Sequence, residues 1–130
     1  MNIKVRYYSR SGNTKLLAES IAKGLNVEAI SIDNNNSQIT DNTDILFVGG
    51  ALYAYGLDKN LKEYLSNIDG SKIKRAVVFS TSWISKHSVD LIRNSLREKG
   101  INVDEEYIYA KNKPNDEFLK QVESDVKKYL

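Results

Sequence analysis

Two runs of apolar residues, Ile45-Leu46-Phe47-Val48 and Ala76-Val77-Val78-Phe79, constrain this chain more than any other feature. Each is too short for a helix and has no polar alternate, the pattern of a strand covered on both faces. Such strands belong at the centre of a sheet. Around them lie stripes of helical period: Leu17, Ala18, Ile21, Ala22 and Leu25; then Leu57, Leu61, Tyr64, Leu65 and Ile68, ended by Asp69-Gly70. A third carries Val89, Ile92 and Leu96, with Ser85 placed to cap it and Gly100 to stop it. Pro114-Asn115-Asp116-Glu117 opens a fourth, whose stripe is Phe118, Leu119, Val122, Val126 and Tyr129, with acid at the positive end of the helix dipole. Further strands are expected at Ile3 to Tyr8, Val27 to Ile32 and Val103 to Tyr109. Strand and helix alternate, so the expected fold is α/β: a three-layer sandwich with a five-stranded parallel sheet of order 2-1-3-4-5 and helices on both faces. The second helix is short or missing, because few residues separate strands two and three; Asp33 to Ser37 reads as loop and Ile39 as the one anchor.

The length of 130 residues suits a single domain, residues 1–130. With no cysteine and one histidine, His87, thiol nucleophiles, iron–sulfur ligation and the common zinc sites are excluded. A net charge of +2, dispersed except for Lys72, Lys74 and Arg75 at a strand entrance, gives no case for nucleic acid. No apolar run is long enough for a membrane helix or a signal peptide, so the expectation is a soluble cytoplasmic protein without membrane insertion, a monomer or weak dimer.

In an open parallel sheet, ligands sit at the carboxyl ends of the strands beside the point where strand order reverses. There the first strand runs through Ser9-Arg10-Ser11-Gly12-Asn13-Thr14 directly into a helix. Hydroxyls, a permissive glycine and the amides of a first helical turn form an anion nest that needs no lysine, and Arg10 adds a cation. The plainer reading of the same residues is that Ser11 or Asn13 caps the helix. Neither the triphosphate loop G-x-x-x-x-G-K-[ST] nor the dinucleotide pattern G-x-G-x-x-G is present. Strand three ends in Gly49-Gly50-Ala51-Leu52-Tyr53-Ala54-Tyr55-Gly56 and strand four in Ser80-Thr81-Ser82-Trp83, which brings three aromatics to the same edge. Aromatic walls beside an anion nest suit a phosphorylated planar cofactor. Asp58 and Lys59 read as the first turn of a helix, and His87 as a surface residue.

With Ser9 to Thr14 matching the pattern [ST]-x-[ST]-G-x-T at the strand-to-helix junction, the chain resembles a short-chain flavodoxin over nearly all its length. The resemblance implies non-covalent FMN and electron transfer. Ser9, Arg10, Ser11, Gly12, Asn13 and Thr14 would surround the phosphate. Ala51, Leu52, Tyr53, Ala54, Tyr55 and Gly56 would supply one side of the ring site, with Tyr53 or Tyr55 against the isoalloxazine. Ser80, Thr81, Ser82 and Trp83 would supply the other side. Flavodoxins place glycine after the ring-side residue so that a peptide can flip toward the reduced ring; Ala54 follows Tyr53, whereas Gly56 follows Tyr55. Partners would be redox proteins or a small electron donor or acceptor. The strand-three loop also resembles that of flavodoxin-domain enzymes related to menaquinone-dependent protoporphyrinogen oxidase, without their long insertion. Tyr7-Tyr8-Ser9 with Ser11-Gly12-Asn13 resembles the small flavodoxin-like activator of a ribonucleotide reductase. An interaction module of this fold without flavin is the remaining alternative.

Overall fold

The computed structural model describes residues 1–53, 56–82 and 85–130. The elements in chain order are β1 (Ile3–Tyr7), α1 (Asn13–Leu25), β2 (Ala29–Ser31), β3 (Thr43–Tyr53), β4 (Gly56–Leu57), α2 (Lys59–Ser66), β5 (Ile73–Thr81), α3 (His87–Glu98), β6 (Asn102–Ala110) and α4 (Asp116–Asp125). The parallel strands stand in the order β2-β1-β3-β5-β6, the order expected from the alternating pattern. The sixth strand, unforeseen, is β4: Leu57 and Gly56 pair back on Leu52 and Tyr53 in an antiparallel hairpin at the carboxyl end of β3. Leu57, read as the start of a helical stripe, therefore lies in a strand. Asp58 ends the hairpin and caps α2 by accepting the Asn60 N–H at 2.7 Å.

The two apolar runs are the middles of longer strands, and their side chains alternate between two cores. Ile45, Phe47, Val77 and Phe79 pack with Leu17, Ile21, Val122 and Val126 beneath α1 and α4. Leu46, Val48, Ala76 and Val78 pack with Leu61, Leu65, Ile92 and Leu96 beneath α2 and α3. Both faces are thus covered, which is why no polar alternate was tolerated in these runs. The final stripe divides: Val126 and Tyr129 are buried on a 3-10 turn beyond α4, and Phe118 and Leu119 are only half-buried. That helix starts at Asp116, after Pro114, with Asn115 Oδ1 accepting the Phe118 N–H at 2.8 Å. α3 begins at His87 without a side-chain cap in the usual geometry; Ser85 Oγ instead takes the His87 N–H at 3.3 Å.

β2 is shorter than Val27 to Ile32 because Asn26 adopts the left-handed conformation (φ 58°) and the Val27 N–H returns to Ala22, closing α1. Between β2 and β3 the missing helix is replaced by a 3-10 turn at Asn35–Ser37, within the segment expected to be loop. Buried Arg6 takes over part of the covering role there. Its Nε donates to the Ser37 carbonyl at 2.8 Å, and the Tyr64 hydroxyl donates to the same oxygen at 2.5 Å. A hydrogen bond to a charged group contributes about 2 kcal/mol, so Arg6→Met is expected to lower unfolding stability by about that amount in urea, and Tyr64→Phe by about 1 kcal/mol. An unchanged midpoint for Arg6→Met would show that the turn does not depend on the guanidinium.

Candidate functional site

A cavity of about 290 Å³ opens at the carboxyl edge of the sheet, lined by Ser11, Asn13, Ala51, Leu52, Tyr53, Thr81, Ser82 and Asn112. β1, β3 and β5 all deliver their ends to it, since they are neighbours in parallel register. A second cleft of about 240 Å³, between β6 and α4, is walled by Tyr107, Tyr109, Phe118 and Tyr129 and lies away from the loop after β1.

The loop from β1 turns at Gly12, whose φ of 95° belongs to the left-handed region, and a Cβ built there would meet open space. Ser9 Oγ accepts the Gly12 N–H at 3.0 Å and fixes the turn. α1 then starts without a side-chain cap, Ser11 Oγ standing 3.5 Å from the Asn13 N–H. The amides of its first turn that have no intrahelical acceptor are the donor set a phosphate ester requires. The capping reading is met in part, by the long Ser11 contact to the first helical N–H. Thr14 is buried, and its hydroxyl shares a hydrogen bond with that of Thr81 at 2.6 Å, tying α1 to the end of β5.

Tyr53 is half-buried on the cavity wall, and that burial pushes its phenol above the ordinary tyrosine range. Arg10 does not reach toward the nest. Its guanidinium pairs with Asp58, Nε to Oδ2 at 2.8 Å, and lies over the Tyr53 ring with Cζ 3.8 Å from the ring centre. The hydrogen bond to Asp58 is the chief reason its pKa is raised.

Ser80, expected at the ring edge, is fully buried inside β5, donating to the Gly50 carbonyl at 2.5 Å and sharing a bond with Ser88 Oγ at 2.6 Å. It holds strands β3 and β5 to α3 from within. Gly56 sits in the hairpin strand β4 (φ 131°) and does not line the cavity. Thr81 and Ser82 do, and the Ser82 carbonyl accepts a hydrogen bond from the Tyr109 hydroxyl. Ala54, Tyr55 and Trp83 lie outside the described residues. Two further residues belong to the site. Asn112 enters the wall from the loop after β6, in the left-handed conformation (φ 64°); its signal was an asparagine between Lys111 and Lys113, a side chain that tolerates that conformation in turns. Asp58 is both the entry of α2 and the partner of Arg10, and the second role has no local sequence signal.

Among the described residues, no helix is long and apolar enough to cross a membrane. A flavodoxin from the domain Archaea superposes with a TM-score of 0.83 at 24% identity, over 99% of this chain and 98% of that one. Oxidised Flavodoxin 1 of Bacillus cereus does so with a TM-score of 0.79 at 22% identity, over 100% and 99%. A Synechocystis sp. protein, described by name as a diflavin flavoprotein, is 28% identical over 136 residues, 95% of this chain and 22% of that protein. The chain spans about a quarter or less of the length of the first curated relatives it matches. The model of the flavodoxin domain matches residues 4–121, and together with the nest at the mouth of β1 and the strand order this means that the chain belongs to the flavodoxin domain family.

Proposed function

We propose that the cavity at the carboxyl edge holds FMN non-covalently, with the phosphate on the loop from Ser9 to Asn13 and the ring against Tyr53. Membership of the flavodoxin domain family makes the chain an FMN-binding redox protein. The observation that carries the residue assignment is that one cavity is lined by both the start of α1, at Ser11 and Asn13, and by Tyr53. Bound FMN would supply reversible electron uptake and release. The protein's own residues do the rest. The Ser11 hydroxyl and the amides of Asn13 and its neighbours orient the phosphate, and Thr14 holds the helix start to β5 through Thr81. Tyr53 excludes water from one side of the ring site, and the Asn112 side chain offers its amide on the cavity wall.

Apart from the Tyr53 phenol, the described residues lining the cavity include no titratable side chain. That favours electron transfer over a reaction that needs a general acid or base. The 130 residues then form one electron-transferring unit whose partners are redox proteins or a small donor or acceptor. The test is reconstitution with FMN followed by anaerobic reduction. Protein freed of excess FMN is expected to stay yellow, with bands near about 370 and 450 nm, to bleach on reduction and to recover in air. Colourless protein after the same treatment would favour the interaction module.

A further inference from the structure

We propose that Arg10 is a positioning residue for the ring wall and not a ligand of the phosphate: held by Asp58, it braces Tyr53 from the side of the first loop. The proposal rests on the FMN reading given above. An arginine between Ser9 and Ser11 is the cation that a phosphate loop would be expected to use, and its side chain is engaged elsewhere.

Three contacts define the clasp. The guanidinium meets Asp58 Oδ2 through both Nε and a terminal nitrogen. The carboxylate cannot follow Arg10 elsewhere, because its other oxygen caps α2 at Asn60 and the side chain is buried at the positive end of that helix. The planar guanidinium then lies 3.8 Å from the Tyr53 ring centre, within cation–π range, while the Arg10 N–H faces the Tyr53 hydroxyl at 3.4 Å. Tyr53 is thereby held by the loop after β1 as well as by its own strand. Turning Arg10 toward a phosphate would leave Asp58 as an unpaired buried carboxylate, a costly exchange when the amides of α1 already offer an anion site.

The apoprotein is titrated with FMN and, separately, with riboflavin, which has the ring without the phosphate, following flavin fluorescence. Arg10→Gln is expected to weaken both by a similar factor, about tenfold, and to alter the visible circular dichroism of the bound ring. Asp58→Asn, which keeps an oxygen for the Asn60 cap, is expected to lower both affinities together as well. Loss of FMN affinity alone in Arg10→Gln, or no change for either flavin, would overturn the proposal. In the apoprotein, Arg10 side-chain proton resonances are expected upfield under the Tyr53 ring and to move downfield in Asp58→Asn; unshifted resonances in the parent protein would overturn the clasp. A protein with those shifts and no affinity for either flavin would overturn the FMN reading, and with it the role assigned to the clasp, while leaving the clasp itself established.

Discussion

Replacing Ser11 and Asn13 together by aspartate is expected to weaken FMN about a thousandfold while changing riboflavin affinity less than about threefold. Even at the dielectric constant of water, about 80, a carboxylate about 4 Å from a doubly charged phosphate costs about 2 kcal/mol, so two cost about 4 kcal/mol, which is the thousandfold. Both positions lie on the cavity wall and neither is fully buried, so the new charges need not enter the core. α1 has no acidic residue in its first turn, and an aspartate there stabilises the helix by about 0.5 kcal/mol through its dipole. The variant should therefore fold at least as well as its parent and still fail to hold FMN. Thr14 is unsuitable for this experiment, since an aspartate there would face Thr81 in a buried site. The measurement is a pair of fluorescence titrations at low and high salt, with part of the FMN loss recovered at high salt. Equal loss of both flavins would show that the loop is a structural turn and that the phosphate lies elsewhere.

The features legible in the sequence were those fixed by local pattern. Ile45 to Val48 and Ala76 to Phe79 announced central strands because strands covered on both faces have no polar alternate, and all these residues are buried. The turn into α1 was legible in Ser9 to Thr14 because a left-handed glycine before a helix is a local requirement, and Gly12 has that conformation. What depends on distant partners was not legible. Ser80 sits in a hydroxyl-rich string at a strand end, yet it is fully buried because Gly50 and Ser88 satisfy its hydroxyl. Arg6 lies inside the strand expected from Ile3 to Tyr8, and its burial depends on the distant turn at Ser37, whose carbonyl it binds. Arg10 and Asp58 are separated by most of two βα units, so only the folded sheet brings the pair together. Leu57 fitted a helical period by coincidence, because the hairpin places it on the same core as Leu61.

Gly24→Ala should cost about 3 kcal/mol and lower the melting temperature by about 10 °C, although alanine is the better helix former. In an exposed helix the same exchange would gain up to about 1 kcal/mol. Gly24 lies in the last turn of α1, where α4 and the turn after it pass close by. A Cβ built at Gly24 would fall 2.6 Å from Val126 Cγ2 and against the Glu123 carbonyl oxygen, closer than carbon tolerates in either direction. The valine methyl can turn away; the carbonyl belongs to the backbone of α4 and moves only with the helix. Val126→Ala in the same chain relieves the first clash and not the second, so the double variant should recover little of the loss. Thermal unfolding followed by far-ultraviolet circular dichroism decides the matter. A melting temperature equal to or above that of the parent would mean that α4 does not pack on α1 at Gly24. The floor of the sheet beneath Phe47 and Phe79, both fully buried between those helices and the strands, would then be built differently.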